Sequence, residues 1–197
     1  TERCDGRTMY QDKNHNVVPC MKTRETAFSI DNIFGYDLET FVDSETKYLT
    51  VYACSWYYKG EQHVSYGQTA FNQMFDFIVE HVKDAVLCAY NGSRFDHHFL
   101  VEEAIKRGIK VPDLLIVDGN AILGGNLLSN KFWDIARFTQ SSLKDACYSF
   151  KVPEHITKGE FDHTKMNSWD DVDKYELEVR KYLQNDVLSM MWIVDKL

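Results

Sequence analysis

The stretch from Ile33 to Thr40 constrains the fold more than any other part of the chain. Alternation along a β-strand would place its apolar side chains on one face, namely Phe34, Tyr36 and Leu38. The other face would carry Asp37 and Glu39, about 7 Å apart, beside Gly35, which leaves room for something to approach. Two carboxylates in so apolar a strand are costly unless a cation or hydrogen bonds compensate them. The segment therefore predicts a core strand with a candidate site on one face; the solvent-facing edge of an ordinary amphipathic strand is the alternative.

Length and composition fit one folded domain. The chain has 197 residues, of which 44% are hydrophobic and 14% aromatic, enough to bury a sizeable core. No apolar run is long enough to cross a bilayer, and no signal peptide opens the sequence. The five cysteines are odd in number and irregularly spaced, which favours reduced thiols in an intracellular compartment.

The net charge of −8 argues against a protein that grips duplex DNA by broad neutralisation of phosphates. It does not exclude nucleic acid as a substrate. An enzyme that holds phosphates through divalent metals needs clustered carboxylates, which make the net charge negative.

The pattern along the chain predicts an N-terminal extension or short hairpin over residues 1–26 and one domain over 27–197. The predicted elements are strands at 27–40, 48–58 and 62–66, a helix at 71–82, a strand at 85–90, a helix at 94–108, strands at 114–117, 121–128 and 131–136, a helix at 141–150, and one or two helices within 170–197. This order predicts an α/β domain with a mixed sheet, antiparallel first strands and flanking helices.

Two further acidic segments follow at positions where sites form. Asp96 comes shortly after the predicted buried strand at 85–90, and Tyr182 and Asp186 lie one turn apart on the last helix. Taken alone, Asp96 reads as a helix cap and the other two as a surface pair. The adjacent His97 and His98 would face different directions on a helix, and we interpret them as packing or surface residues.

The acidic segments together resemble the three motifs of the DEDDy 3′–5′ exonucleases, which share an RNase H-like fold. Those motifs read Asp-x-Glu on an early strand, Asn-x-x-x-Phe-Asp, and Tyr-x-x-x-Asp, and they correspond here to residues 37–39, 91–96 and 182–186. The middle segment, Asn-Gly-Ser-Arg-Phe-Asp, is similar to the version found in family B DNA polymerases.

Two more segments make the chain resemble the protein-primed family B polymerases of phages, viruses and linear plasmids. Residues 142–146, Ser-Leu-Lys-Asp-Ala, are similar to a Ser/Thr-Leu-x-x-hydrophobic motif that contacts single-stranded DNA. Residues 158–161, Lys-Gly-Glu-Phe, are similar to the Lys-x-x-hydrophobic motif of the protein-primed branch. His163 departs from that pattern, which has a tyrosine there, so no role is assigned to it.

The resemblance implies two divalent metal ions, Mg²⁺ or Mn²⁺, held by four carboxylates: Asp37, Glu39, Asp96 and Asp186. Tyr182 would orient the attacking water, because a phenol with a pKa near 10 is a poor general base. Lys158 would steady an oxygen of the scissile phosphate. The implied contacts to single-stranded DNA are Thr40, Asn91, Phe95, Ser142 and Leu143. For Phe95 and Leu143, simple core packing is the alternative.

These expectations describe a proofreading exonuclease that acts on the single-stranded 3′ end of DNA. The resemblance implies a covalently attached polymerase domain, a terminal protein as primer, no membrane association, and a viral or plasmid origin. One alternative is a free-standing DEDDy nuclease that acts on RNA or DNA. Another is an inactive RNase H-like nucleic-acid-binding module, which is disfavoured because the four carboxylates, the tyrosine and the lysine are all present.

Overall fold

The segment Ile33–Val42 forms a central strand of a mixed sheet in the computed structural model, which describes residues 9–11, 17–19, 29–44, 46–110, 115–157 and 159–197. The strands are β1 (Met9–Gln11), β2 (Val17–Pro19), β3 (Ile33–Val42), β4 (Leu49–Tyr58), β5 (Glu61–Tyr66), β6 (Val86–Ala89), β7 (Ile116–Asp118), β8 (Ala121–Gly124), β9 (Asn126–Leu127) and β10 (Asn130–Asp134). The α-helices are α1 (Ala70–His81), α2 (Asp96–Lys106), α3 (Ala136–Thr139), α4 (Leu143–Ser149), α5 (Trp169–Lys174) and α6 (Glu176–Lys196).

Six strands form the main sheet, in the order β5-β4-β3-β6-β10-β9. Within this sheet, β4 pairs antiparallel with both β3 and β5, whereas β6 pairs parallel with both β3 and β10. This arrangement confirms the predicted mixed sheet with antiparallel first strands. The pairs β1–β2 and β7–β8 each form a small antiparallel sheet of their own.

Both faces of β3 are covered, as its alternating pattern requires. The apolar residues Phe34, Tyr36 and Leu38 pack in one cluster with α1 and α2, including Phe75 and Leu100. On the opposite face lies α6, and a second cluster there joins α4 to α6. The sheet is therefore enclosed between α1 and α2 on one side and α4 and α6 on the other.

The space beside Gly35 is filled by the protein itself. A Cβ atom at Gly35 would lie 2.3 Å from Met191 Sδ and 3.1 Å from Met190 Cε, both on α6. The expectation was that Gly35 leaves room for something to approach, and in the structure α6 takes that room. The absence of a side chain lets α6 approach β3 closely.

Several predicted boundaries differ from the observed ones. The strand predicted at 131–136 ends at Asp134, because the Asp134 carboxylate accepts a hydrogen bond from Ala136 N (3.0 Å) and starts α3, which was not predicted. The strand predicted at 121–128 is interrupted at Gly125, whose φ is 138°. The strand predicted at 27–40 is β3, which begins at residue 33 after a 3-10 turn over Ile30–Asn32.

The predicted domain boundary at residue 27 lies outside the described residues and stays a prediction. None of the helices in the described ranges combines the length and apolar character that a membrane-spanning helix requires.

The contact between Gly35 and Met191 generates a stability prediction. Gly35→Ala should lower the free energy of unfolding by about 1–3 kcal/mol, because the new methyl group forces the two buried methionines to move. Gly124→Ala is the matched control, since its Cβ would lie 3.7 Å from the nearest atom, an ordinary contact distance. Alanine also reduces the backbone freedom of the unfolded chain, which favours the folded state. Urea unfolding measures both. Equal values for the two variants would contradict close packing at Gly35, and Met191→Ala should reduce the cost of Gly35→Ala.

Candidate active site

The candidate site forms where β3 extends beyond its parallel neighbour. Pairing with β6 ends at Gly35, whereas β3 continues to Val42. The carboxylate of Asp96 takes the place of a strand on this edge, because its Oδ1 accepts a hydrogen bond from Leu38 N at 3.2 Å. Leu38 stands between Asp37 and Glu39 in the sequence, so this bond brings the second acidic motif to the first.

Asp96 is the first residue of α2 and is almost fully buried. Burial raises the pKa of its carboxyl to about 7, and the negative charges of Glu39 and Asp134 act in the same direction. Hydrogen bonds from the backbone N–H groups of Asp96 itself and of Leu38 oppose that rise. The carboxyl is therefore held in a place that disfavours its charged form and lies within the electrostatic influence of Glu39.

The third motif lies on α6, which packs on the face of β3 that carries Gly35, Asp37 and Glu39. Tyr182 is buried, and burial raises the pKa of its hydroxyl far above the ordinary value. The negative charges of Asp186, Glu39 and Asp37 raise this pKa further. The hydroxyl is therefore protonated at neutral pH, and it is hydrogen-bonded to the Asp186 side chain. The structure thus brings residues of all three acidic motifs to one region.

The charge of Glu39 acts on Asp96, but the four carboxylates are not arranged as a ready set of metal ligands. Across the described residues, no group of three or more His, Cys, Asp or Glu side chains is placed to hold a metal ion. The chemistry of the four carboxylates suits hard cations such as Mg²⁺ and Mn²⁺, and positive charge would relieve the raised pKa of Asp96. Their roles as metal ligands stay predictions.

The predicted DNA contacts lie around this region with different degrees of exposure. Thr40 is half-buried at an irregularity in the β3–β4 register, and Phe95 is half-buried with its ring 5.2 Å from that of Phe99. Ser142 is exposed and caps α4, where its Oγ accepts a hydrogen bond from Asp145 N at 3.1 Å. Leu143 is buried among residues of α4 and α6, so its packing role is visible.

Asp134 is a functional candidate that the sequence analysis missed. Its carboxylate accepts hydrogen bonds from Asn91 N at 2.8 Å and Ser93 N at 3.1 Å, besides the bond from Ala136 N. It thereby fixes the turn that delivers Asp96, in which Asn91 has a left-handed φ of 63°. Asparagine tolerates that conformation better than most residues, so Asn91 has a backbone role whether or not it contacts DNA.

A buried polar pair packs against the turn at residues 91–96 from the interior of the protein. The Tyr36 hydroxyl lies 2.6 Å from His97 Nδ1, and the imidazole stacks on Phe132 at 4.7 Å between ring centroids. Burial lowers the pKa of His97 to about 4, so the ring is neutral at physiological pH. A Cβ at Gly92 would lie 2.7 Å from His97 Cε1, which explains why this position has no side chain. The interpretation of His97 as a packing residue agrees with this placement.

His163 also lies at the site, although no role was assigned to it. Its Nδ1 is 3.2 Å from Glu39 Oε2, and its ring centroid is 5.6 Å from that of Tyr182. The position after the lysine motif was the only sequence signal for it. Lys158 itself lies outside the described residues, so its predicted role stays a prediction.

Comparison with solved structures identifies proteins that share this fold, whereas comparison of the sequence finds no match. No family model matches the sequence, and no curated protein matches it. The structure matches "Phi29 DNA polymerase complexed with single-stranded DNA", with a TM-score of 0.63 and 16% identity over 83% of this chain and 31% of that chain. The chain has the fold of that segment. Phi29 DNA polymerase complexed with primer-template DNA, as a post-translocation binary complex, matches with a TM-score of 0.64 and 16% identity over 81% of this chain and 30% of that one.

The chain spans about a third of the length of these polymerases. Phi29 DNA polymerase is a protein-primed family B enzyme, so the resemblance read from the motifs is supported by the fold. The predicted fold class is confirmed: an RNase H-like α/β domain with a six-stranded mixed sheet flanked by helices.

The raised pKa of Asp96 predicts how the metal-free protein responds to pH. The folded state keeps the Asp96 proton up to about pH 7, whereas the unfolded chain loses it near pH 4. This contribution to stability is therefore fully present below about pH 4 and is lost as the pH rises to about 7. Asp96→Asn keeps an acceptor for Leu38 N without the charge. In EDTA, its melting temperature should exceed that of the wild type at pH 8 and approach it at pH 4.

Asp195→Asn, at an exposed position on α6, is the control for loss of one negative charge. A gain at pH 8 as large as that of Asp96→Asn would mean that net charge, rather than burial of Asp96, sets the effect. No gain at pH 8 for Asp96→Asn would contradict the raised pKa.

Proposed function

We propose that the chain is a metal-dependent 3′–5′ exonuclease that removes 3′-terminal nucleotides from single-stranded or mismatched DNA. On this proposal it is the proofreading domain of a protein-primed family B DNA polymerase. The observation that carries the proposal is the convergence of the three acidic motifs. Asp96 is hydrogen-bonded to β3 between Asp37 and Glu39, and the Tyr182 hydroxyl lies in the electrostatic field of Asp37, Glu39 and Asp186.

Two divalent ions bound by Asp37, Glu39, Asp96 and Asp186 would supply an activated water and would stabilise negative charge on the phosphate and the leaving oxygen. The carboxylates are not gathered around a common point, so binding requires that their side chains move together. Repulsion among the carboxylates opposes this movement in the metal-free protein, and cations remove that opposition.

The protein side chains have the remaining roles. The protonated Tyr182 hydroxyl holds the attacking water by a hydrogen bond and orients it toward the phosphorus. His163 contacts Glu39 and thereby restricts the orientation of that carboxylate. Lys158 would place a compact positive charge against an oxygen of the scissile phosphate.

The substrate is proposed to be a single strand because a terminal nucleotide must be unpaired to reach partly buried carboxylates. Asp96, Asp186 and Glu39 are each at most 8% exposed, which excludes an intact duplex from close approach. One matched polymerase structure is a complex with single-stranded DNA, which supports this choice of substrate.

The first test is exonucleolysis from a free 3′ end. We expect 5′-labelled single-stranded DNA to shorten from its 3′ end with Mg²⁺ or Mn²⁺ and to remain intact in EDTA. A mismatched primer end should be trimmed much faster than a matched blunt duplex, because unpairing the matched terminus costs a few kcal/mol. Cleavage of circular single strands, or cutting in EDTA, would contradict the proposal. Equal rates on matched and mismatched ends would contradict proofreading.

The second test separates the roles of the site residues. Asp37→Ala and Asp186→Ala should lower the turnover rate by several orders of magnitude and weaken Mn²⁺ binding measured by EPR, because each removes a carboxylate ligand. Tyr182→Phe should lower turnover by about 10²-fold and weaken Mn²⁺ binding far less than the two alanine variants do, because it removes a hydrogen bond and not a carboxylate ligand. Asp195→Ala and Tyr148→Phe, at exposed positions, are the matched controls. Equal losses for Asp37→Ala, Asp186→Ala and Tyr182→Phe would show that Tyr182 does not have the proposed role.

A further inference from the structure

A groove of about 630 Å³ lies beside the candidate site, between α2 and the turn that joins β3 to β4. Its described lining residues are apolar, aromatic and charged: Lys47, Tyr48, Leu49, Phe99, Glu102 and Lys106. No predicted catalytic residue or DNA contact is among them. We refer to this feature as the α2 groove.

The α2 groove continues from the predicted DNA contacts. Helix α2 begins at Asp96 in the site and ends at Lys106 in the groove, and Phe95 contacts Phe99 one turn along. On the strand side, Thr40 is two residues before Val42, which pairs with Leu49 of the groove. Both walls therefore run from the site into the groove.

The distance from the site to the far end of the groove suits a short run of nucleotides. Asp96 and Lys106 are ten residues apart on α2, which corresponds to about 15 Å at 1.5 Å per residue. Stacked nucleotides rise about 3.4 Å each along one strand, so about four of them fit this distance. A strand whose 3′ end lies at the carboxylates would reach the far end of the groove about four nucleotides upstream.

The far end presents the chemistry that holds single strands. Tyr48 is 76% exposed, and the neighbouring apolar residues Leu49 and Val42 are 49% and 56% exposed. An aromatic ring exposed to water is unfavourable in free energy, and stacking against a nucleic-acid base would cover it. Lys47 and Lys106 bring ammonium groups, although Lys106 is paired with Glu102 at 2.7 Å.

Hydrogen bonds restrain the described residues of the turn on either side of Tyr48 and Asp43. Asp43 Oδ1 accepts a hydrogen bond from Thr46 N at 2.7 Å, and Asp43 N donates to Tyr48 O at 3.0 Å. Lys47 has a φ of 62°, in the left-handed region. The backbone bond between Asp43 and Tyr48 lowers the conformational entropy that is lost when a ligand stacks on Tyr48.

We propose that the α2 groove binds the single strand upstream of its 3′-terminal nucleotide, with Tyr48 stacking on a base and Lys47 contacting a phosphate about four nucleotides from the end. This inference rests on the proposed function, because it assumes a 3′ terminus at the carboxylates. It assigns to the turn between β3 and β4 a role in binding longer strands.

The experiment compares strands that end before Tyr48 with strands that pass it. Fluorescence anisotropy would measure the affinity of the protein for labelled thymidine oligonucleotides of 3 and 8 nucleotides, with Ca²⁺ in place of the catalytic ion and a gel to verify intact DNA. Tyr48→Ala should weaken binding of the 8-mer about tenfold, within the range expected for one base–aromatic stack, and binding of the trimer less than twofold. Tyr48→Phe should retain most of the 8-mer affinity.

Tyr148→Ala is the matched control, since Tyr148 is 89% exposed and lies on α4, on the opposite face of the sheet. It should change neither affinity. Lys47→Ala should reduce the slope of log affinity against log salt for the 8-mer by about 0.7, the value for one phosphate contact on a single strand. Thermal melting verifies that each variant is folded.

Unchanged binding of the 8-mer by Tyr48→Ala would overturn the inference, and is the result expected if the α2 groove docks another protein domain. Equal weakening for the trimer and the 8-mer would overturn it too, because Tyr48 would then act at the terminus. In either case, wild-type hydrolysis from the 3′ end would leave the proposed function standing. No binding of either oligonucleotide by the wild type would overturn both.

Discussion

The site depends on a difference in length between two neighbouring strands. Strand β3 continues past Gly35, where its parallel pairing with β6 ends, and its backbone then needs another hydrogen-bond partner on that edge. The Asp96 carboxylate accepts from Leu38 N and so occupies the end of the missing strand. Leu38 lies between Asp37 and Glu39, so the same hydrogen bond satisfies a backbone N–H group of β3 and brings Asp96 to the other two acidic residues.

This placement has an electrostatic consequence. Asp96 is buried beside other acids, so the metal-free site is unfavourable for its charged form. The surrounding structure must therefore hold it in place. Asp134 fixes the preceding turn through backbone N–H groups, and the Tyr36–His97 pair supports it from the interior of the sheet. Stability elsewhere offsets the strain at the site, as is common where function requires unfavourable burial.

The sequence predicted the elements that have a clear period and the motifs that have a fixed spacing. Helix α1 and strands β4 to β6 were found because apolar residues repeat at helical or strand spacing, and Asp96 was placed correctly because it follows a buried strand. Asp134 was missed because its partners are backbone groups about 40 residues earlier, which leave no signature in the sequence. His163 lies in a segment without periodicity. The sequence did not show what fills the space at Gly35, because α6 is distant from it along the chain.

The close contact of Met191 with Gly35 means that oxidation of this buried methionine would disrupt the site. Conversion of a methionine to its sulfoxide adds a polar oxygen to the sulfur. The sulfur of Met191 lies against the backbone of β3, where even a methyl group does not fit, so the added oxygen can be accommodated only if α6 moves away from the sheet. Tyr182 and Asp186 are on the same helix and would move with it, away from Asp37 and Glu39. A chemical change at a sulfur atom that touches no substrate would thus separate two halves of the acidic cluster.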